Sequence, residues 1–276
     1  MVTRVTEALI KAVDDALNYL RSGSVSREIV GKGAFGDVSK GFDVESERII
    51  AEGVARYLGR AVLFVGEELG VRVVGEGEPE WVVIADPVDG STNYDVGIPW
   101  ASVAVAAAPY REGAIIGDVS SAVVAEVFRD VRYVLDSGTV IVNGSSPERR
   151  SPPKAMLLGY FEVPEAYKPV PVYWRIRGKR AALRSLGSAA LDIVYVGLGR
   201  AEGFIDARAK LRNVDIAASV AIATALGSVA LACDGSPVSG VRIDMLVRVP
   251  CIVVGYDREK AEALLRAVHE SLGAQN

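Results

Sequence analysis

The chain has 276 residues, half of them hydrophobic and 24% charged, a composition ample for a packed core and too apolar for intrinsic disorder. Its 31 Lys and Arg stand against 35 Asp and Glu, for a net charge of −4 and no run of five like charges, so neither nucleic acid nor a membrane is an expected partner. The single histidine, His269, leaves Ser-His-Asp and Cys-His catalysis and His-held zinc without candidates, and confines hydrolytic chemistry to carboxylates and a hard metal ion.

Val5, Leu9, Ala12, Val13, Ala16, Leu17 and Leu20 recur at helical spacing and predict an amphipathic helix over 5–20, whose Glu7, Asp14 and Asp15 exclude a signal or transit peptide. The GKGAFG run at 31–36 matches a dinucleotide-binding pattern formally. It follows a helix and precedes polar residues, so it reads instead as a flexible loop that brings Lys32, Asp37 and Asp43 toward a ligand. Asp43 is the expected N-cap of a second helix with Val44, Ile49, Ile50, Val54, Tyr57 and Leu58 as its apolar positions. Short apolar runs then predict strands at 61–65, 81–85, 101–108, 114–119, 123–128, 132–135 and 139–142, an antiparallel or mixed sheet covered by the two helices.

The Ser-, Pro- and Arg-rich stretch 143–154 places a boundary between an N-terminal metal-binding subdomain, 1–150, and a C-terminal substrate-binding subdomain, 151–276. Beyond it, strand-like and helix-like runs alternate at 155–160, 188–199, 203–206, 214–226, 229–233, 251–255 and 257–272, an α/β arrangement. The run from Ala217 to Cys233 is too short and too interrupted to span a membrane and reads as a buried helix entering a strand. Cys233 and Cys251 have apolar neighbours and no CxxC spacing. They are expected to be buried free thiols in a cytoplasmic protein. His269 falls on the terminal amphipathic helix, where a solvent-facing position is expected, and a chain with only one Gln and five Asn has the composition of a thermophile protein.

Three acidic motifs carry the chemical signal. Glu67 and Glu68 follow one apolar strand; Asp86-Pro87-Val88-Asp89-Gly90-Ser91-Thr92 follows another; Asp215 lies in the first turn of an apolar helix. One acid at a strand end is ordinarily a surface turn, and one at a helix start complements the dipole. Pro87 and Gly90, however, fix a tight turn that aims Asp86 and Asp89 at one point, and the Gly90, Ser91 and Thr92 amides beside them form an anion cradle. Phosphate together with a hard metal suits such a turn.

On these residues the chain resembles the inositol monophosphatase and fructose-1,6-bisphosphatase superfamily. The resemblance rests on Asp43, Glu67-Glu68, the Asp86–Ser91 motif, Asp215-Ile216-Ala217-Ala218 and Arg184-Ser185-Leu186-Gly187-Ser188-Ala189-Ala190, all in family order. The family's Trp before the last Asp is Val214, and the stretch 206–215 is similar to the archaeal bifunctional branch. The resemblance implies an α/β fold, a layered αβαβα sandwich of two sheet-containing subdomains, that forms a homodimer and hydrolyses inositol-1-phosphate, fructose-1,6-bisphosphate or both. A phosphatase of 3′-phosphoadenosine-5′-phosphate or NADP is the alternative activity, and a non-catalytic binding protein the alternative class. It implies that Glu67, Asp86 and the Val88 carbonyl hold one Mg²⁺ and that Asp86, Asp89 and Asp215 hold a second, with Glu68 and Asp43 serving a weaker third; Mn²⁺ substitutes and Li⁺ inhibits. Glu67 and Ser91 direct a water at phosphorus, with Asp86 as the shared acid. Asp89, Gly90, Ser91, Thr92, Gly187, Ser188, Ala189 and Asp206 bind the substrate, a small sugar or inositol phosphate, and Arg175, Arg177, Lys179 and Arg208 are the cations available for a second phosphate. RIRGKR at 175–180 reads equally well as a solvated strand or loop.

Overall fold

The computed structural model describes residues 2–32 and 38–272. In chain order the first half runs α1 (Arg4–Arg21), β1 (Ile29–Lys32), β2 (Val38–Lys40), α2 (Gly41–Leu58), β3 (Val62–Gly66), β4 (Gly70–Val74), β5 (Trp81–Asp89), α3 (Ser91–Val96), β6 (Ser102–Pro109), β7 (Ser121–Glu126), β8 (Arg132–Asp136) and β9 (Thr139–Val142). The second runs β10 (Met156–Gly159), α4 (Pro164–Tyr167), α5 (Pro169–Arg177), β11 (Ala182–Arg184), α6 (Ala189–Gly197), β12 (Gly203–Asp206), α7 (Asn213–Ala225), β13 (Val229–Ala232), β14 (Ile252–Gly255) and α8 (Arg258–Leu272).

Strands β3–β9 make a seven-stranded mixed sheet in the order β4-β3-β5-β6-β7-β8-β9, and β10–β14 a five-stranded sheet in the order β11-β10-β12-β14-β13. Alternation along the strands loads both faces of each sheet. Val83 and Val105 turn toward α1 and α2, packing with Leu9, Val13, Ile50 and Val54. Ile84, Ala104 and Val124 face the other way, onto Ile193 of α6 and Ile216 and Val220 of α7. The same apolar cluster continues through Leu158, Phe204 and Val254 of the second sheet, whose far face packs Leu157, Ile205 and Val253 against Tyr173 of α5 and Leu264 and Val268 of α8. The result is the αβαβα sandwich: two outer helical layers, two sheets, and α6 with α7 between them. That middle layer explains why α7 is buried almost all round and shows so little amphipathic pattern.

Four expectations are corrected. The run at 114–119 is not a strand but a short 3₁₀ turn, Ile116–Asp118, closed by Asp118 accepting from the Ile115 N–H. Strand β4 and helix α5 lacked a legible pattern, and RIRGKR forms the end of α5 and the turn after it, not a solvated strand. Helix α2 begins at Gly41, so Asp43 is its third residue and not its N-cap; its carboxylate accepts from the Lys40 N–H at 3.4 Å. Asp37 and the Lys32 side chain lie outside the described residues.

The fourth correction concerns the cysteines. Cys233 and Cys251 are joined in a disulfide, with Cα atoms 5.4 Å apart. Linear spacing hid this because β13 and β14 pair antiparallel, with Ala232 opposite Ile252, which sets the next residue of one strand against the preceding residue of the other. The free-thiol argument for a cytoplasmic protein therefore falls away. Among the described residues no helix is long and apolar enough to cross a membrane. His269 is exposed as expected, with Nε2 2.6 Å from the Cys233 carbonyl oxygen.

Candidate active site

Three distant segments deliver acids to one cleft. Strands β3 and β5 run parallel with Gly66 beside Ala85, so Glu67 and Asp86 leave neighbouring strands at the same level. The β5–β6 ladder pairs Asp86 with Ala104 and Asp89 with Ser102, three steps against two. The extra residue bulges the chain at Pro87-Val88 and lets both aspartates face the cleft. Gly90 ends the turn at φ +87°, where a Cβ would meet the carbonyl oxygens of Gly187 and Trp100 at 2.9 Å, so only glycine fits. Asp215 arrives from the first turn of α7, where its carboxylate accepts from the Arg212 N–H at 2.7 Å.

One carboxylate oxygen from each of Glu67, Asp86 and Asp215 lies within 4.8 Å of the others. Asp89 lines the same cleft, and Asp86 and Asp89 are only 4% and 5% exposed. Burial first, then the charges of Glu67, Asp89 and Asp215, pushes the Asp86 carboxyl well above the usual range. Burial and Glu67 push Asp215 up to about 8 despite the opposing Arg212. Asp89 rises only to about 6, because its burial is countered by donors from Ser188, Ala190 and Ala189. Four clustered carboxylates with one cation among them are an all-oxygen donor set short of positive charge, which fits a hard divalent cation.

The cation is Arg212, which was not singled out in the sequence. Its guanidinium pairs with Glu67 and stands 3.7 Å from Asp215. Burial works to lower its pKa, but Asp215, Glu67 and Asp86 outweigh that and raise it. The signal available was position: Arg212 stands three residues before the acid of a helix start.

A second unforeseen residue, Glu47, holds the Glu67-Glu68 turn. It is fully buried on α2, one helical turn after Asp43, and its carboxylate accepts from the Glu68 N–H at 2.8 Å and the Leu69 N–H at 2.7 Å. Burial raises its carboxyl to about 7 in spite of those two donors. The Glu47 carboxylate occupies the space a Cβ on Gly66 would need, which accounts for the glycine. Asp43 itself is buried, and burial together with Glu68 and Glu67 lifts it to about 8; neither Asp43 nor Glu68 belongs to the three-acid group. Glu47→Ala orphans two main-chain donors. It is expected to cost about 1–3 kcal/mol in a denaturant titration, and to lower phosphatase activity further than the stability loss explains by releasing Glu67.

The expected substrate-binding residues divide. Gly90, Ser91, Thr92 and Gly187 line the cleft, whose volume is about 630 Å³. Ser188 and Ala189 instead serve Asp89: the Ser188 hydroxyl and the Ala189 (3.1 Å) and Ala190 (2.8 Å) N–H groups donate to its carboxylate, which thereby caps α6. Asp206 is engaged by Arg208, receiving its N–H at 2.8 Å and guanidinium bonds at 3.0 and 2.6 Å. Arg208 also pairs with Glu162 and stacks on Tyr160, 3.5 Å from the ring centroid, and so presents a fixed cation to the cleft. Lys210 and Arg248 line the cleft too. Arg175, Arg177 and Lys179 do not reach it. Arg175 pairs with Glu270, Arg177 with buried Glu202, and Lys179 lines a groove between α5 and α8. The linear cluster was misleading because α5 packs on the outer face of the second sheet, away from the cleft.

Comparison with known proteins places this geometry in context. Residues 1–272 match the model of the inositol monophosphatase family. An inositol-1-monophosphatase of Aeropyrum pernix is 31% identical over 261 residues, covering 93% of each chain. A fructose-1,6-bisphosphatase/inositol-1-monophosphatase of Methanothermobacter thermautotrophicus is 29% identical over 265 residues, 91% of each. Among solved structures, a Pyrococcus horikoshii protein described as similar to inositol-1 monophosphatase superposes with a TM-score of 0.73 at 26% identity, covering 94% of this chain and 95% of that one.

Proposed function

The chain belongs to the inositol monophosphatase family and is a phosphoric monoester hydrolase, and on that premise we propose that it is a Mg²⁺-dependent phosphatase acting on inositol-1-phosphate and fructose-1,6-bisphosphate. The observation that carries the reading is the convergence of Glu67, Asp86, Asp89 and Asp215 in a cleft also lined by Arg208, Lys210, Arg212 and Arg248. Carboxylates alone would repel a phosphate ester. Carboxylates that hold divalent cations, flanked by four cationic side chains, attract one.

In this reading Glu67, Asp86 and the Val88 carbonyl hold one cation, Asp86, Asp89 and Asp215 the second, and Glu68 with Asp43 assists a third; Mn²⁺ serves in place of Mg²⁺ and Li⁺ inhibits. When bound, the cations supply Lewis-acid polarisation of the phosphoryl group and a water of lowered pKa. The chain's own part is orientation. Glu67 takes up the proton released by the water, and the Ser91 hydroxyl is its hydrogen-bond partner. The N–H groups of Gly90, Ser91 and Thr92, unpaired within the helix at the start of α3, donate to phosphate oxygens. Ser188, Ala189 and Ala190 hold the Asp89 carboxylate by three hydrogen bonds shared between its two oxygens. Residues 1–150 supply most cation ligands and 151–276 the sugar side, and Asp215 ties the two subdomains to one site. Homodimer formation belongs to the same reading, tested by sedimentation.

Phosphate release from a panel of inositol-1-phosphate, fructose-1,6-bisphosphate, 3′-phosphoadenosine-5′-phosphate and NADP, with and without Mg²⁺ and Li⁺, tests it. Turnover of the first two that requires Mg²⁺ is expected; preferential turnover of either nucleotide would reassign the substrate. For the distal phosphate of the bisphosphate we assign Arg208. Arg208→Ala is expected to lower kcat/KM for fructose-1,6-bisphosphate by about tenfold or more while changing that for inositol-1-phosphate much less, since a charged hydrogen bond contributes on the order of 1.5–3 kcal/mol. Equal losses on both would move the second phosphate elsewhere.

A further inference from the structure

Arg212 is an unexpected neighbour for a cation site. Its guanidinium pairs with Glu67 and approaches Asp215, two of the three carboxylates that come together within 4.8 Å. It is largely buried, and it lines the cleft where the substrate phosphate would lie. Its main-chain N–H closes the cap on Asp215, so the side chain is not required to start α7. A fixed positive charge on two ligands of a divalent cation opposes that cation's entry, unless the guanidinium leaves when the cation arrives.

We propose that Arg212 is a built-in counter-cation that neutralises Glu67 and Asp215 while no divalent cation is bound, and that transfers from Glu67 to the substrate phosphate when one binds. This rests on the metal-dependent reading above. The chemistry of the side chain suits the exchange: the guanidinium fork fits carboxylate and phosphate equally well and is weakly hydrated, so moving from one anion to the other sacrifices little. Arg208 could not play this part, because Asp206, Glu162 and Tyr160 hold it from three sides. Glu67 and Asp215, which Arg212 meets, are carboxylates that the incoming cation would itself claim. The exchange also keeps the cluster from standing bare at any stage, and it couples cation loading to readiness for phosphate.

The consequence is a pair of effects of opposite sign, which a merely structural role would not produce. In the full chain stripped of metal with EDTA, Arg212→Met is expected to bind Mn²⁺ about tenfold or more tighter than the unsubstituted protein in an electron paramagnetic resonance titration. The same variant is expected to melt lower in EDTA, where its carboxylates lose their counter-charge. With Mn²⁺ saturating, it is expected to bind inorganic phosphate about tenfold more weakly by calorimetry. Arg212→Lys, which keeps the charge, is expected to stay within about threefold of the unsubstituted protein for Mn²⁺. Should Arg212→Met fail to fold, Arg212→Gln removes the charge while retaining a donor for Glu67, and carries the same expectation. A folded charge-removing variant that binds Mn²⁺ no tighter, or binds phosphate undiminished, overturns the counter-cation role and leaves the metal site standing. Failure of the unsubstituted protein to bind Mn²⁺ at all overturns the metal reading and this role with it.

Discussion

Asp86→Asn is expected to lower Mg²⁺-dependent phosphate release by on the order of a thousandfold, equivalent to the several kcal/mol of charge stabilisation that a well-held Lewis acid contributes. The same substitution is expected to raise the melting temperature of the protein in EDTA. Both follow from one fact: Asp86 is almost wholly buried beside Glu67, Asp89 and Asp215 and feels the charge of all three. Asparagine keeps the shape and an oxygen to accept from the Val88 N–H, now 3.0 Å from Asp86 Oδ1, so the turn survives. It removes one charge from a cluster that repels itself until a cation arrives. Activity is read by phosphate release at saturating Mg²⁺ and stability by calorimetry without it. Undiminished activity would dismiss Asp86 as a cation ligand, and a lower melting temperature in EDTA would mean that its charge, not its shape, holds the turn. A stabilised but inactive variant is the signature of a residue kept for function at a cost to the fold.

The acids of the cleft were legible because each sits where local geometry constrains it. Glu67 and Asp86 end apolar strands, and Pro87 with Gly90 announces the turn that carries Asp89. What the sequence does not display is where strands lie relative to each other. The parallel β3–β5 register that sets Glu67 beside Asp86 has no trace in spacing. Nor has the contact across 21 residues by which Glu47 holds the Glu68 and Leu69 amides, since VESERII looks like an ordinary charged helix surface. Ser188 and Ala189 belong to the matched motif, yet they turn inward to Asp89 because that carboxylate, arriving from 100 residues away, takes the first N–H groups of α6. Charge clusters were the least reliable guide. RIRGKR stands out in the sequence, but its Arg175 and Arg177 are spent on Glu270 and Glu202, whereas Arg208, Lys210 and Arg212, every second residue of a less dense stretch, reach the cleft together with the distant Arg248. The layered fold was more accessible, because most sheet and helix periods are clean; α5 and β4, short and of mixed burial, were not.

Removal of the disulfide by Cys233→Ala with Cys251→Ala is expected to lower stability by about 3 kcal/mol, the chain-entropy contribution of closing a loop of this size. The bond spans a sequence separation of 18. In a chain this long that corresponds to a melting temperature lower by roughly 6–12 °C. The location makes the loss local as well as global. Strand β13 is the edge of the five-stranded sheet, with β14 its one neighbouring strand there, and its four residues give it few ladder bonds to fall back on. Helix α8 packs on the same two strands through Leu264 and Val268, and His269 meets the Cys233 carbonyl, so a frayed β13 uncovers the underside of α8. The acids of the cleft come from the ends of β3 and β5 and the first turn of α7, and neither cysteine lines the cleft, so kcat well below the transition is expected to be unchanged. Hydrogen exchange would show the difference first in β13 and α8. Thiol titration of the unfolded, unreduced protein supplies the control: no reactive thiol is expected, and two would mean that the strands are paired without the bond.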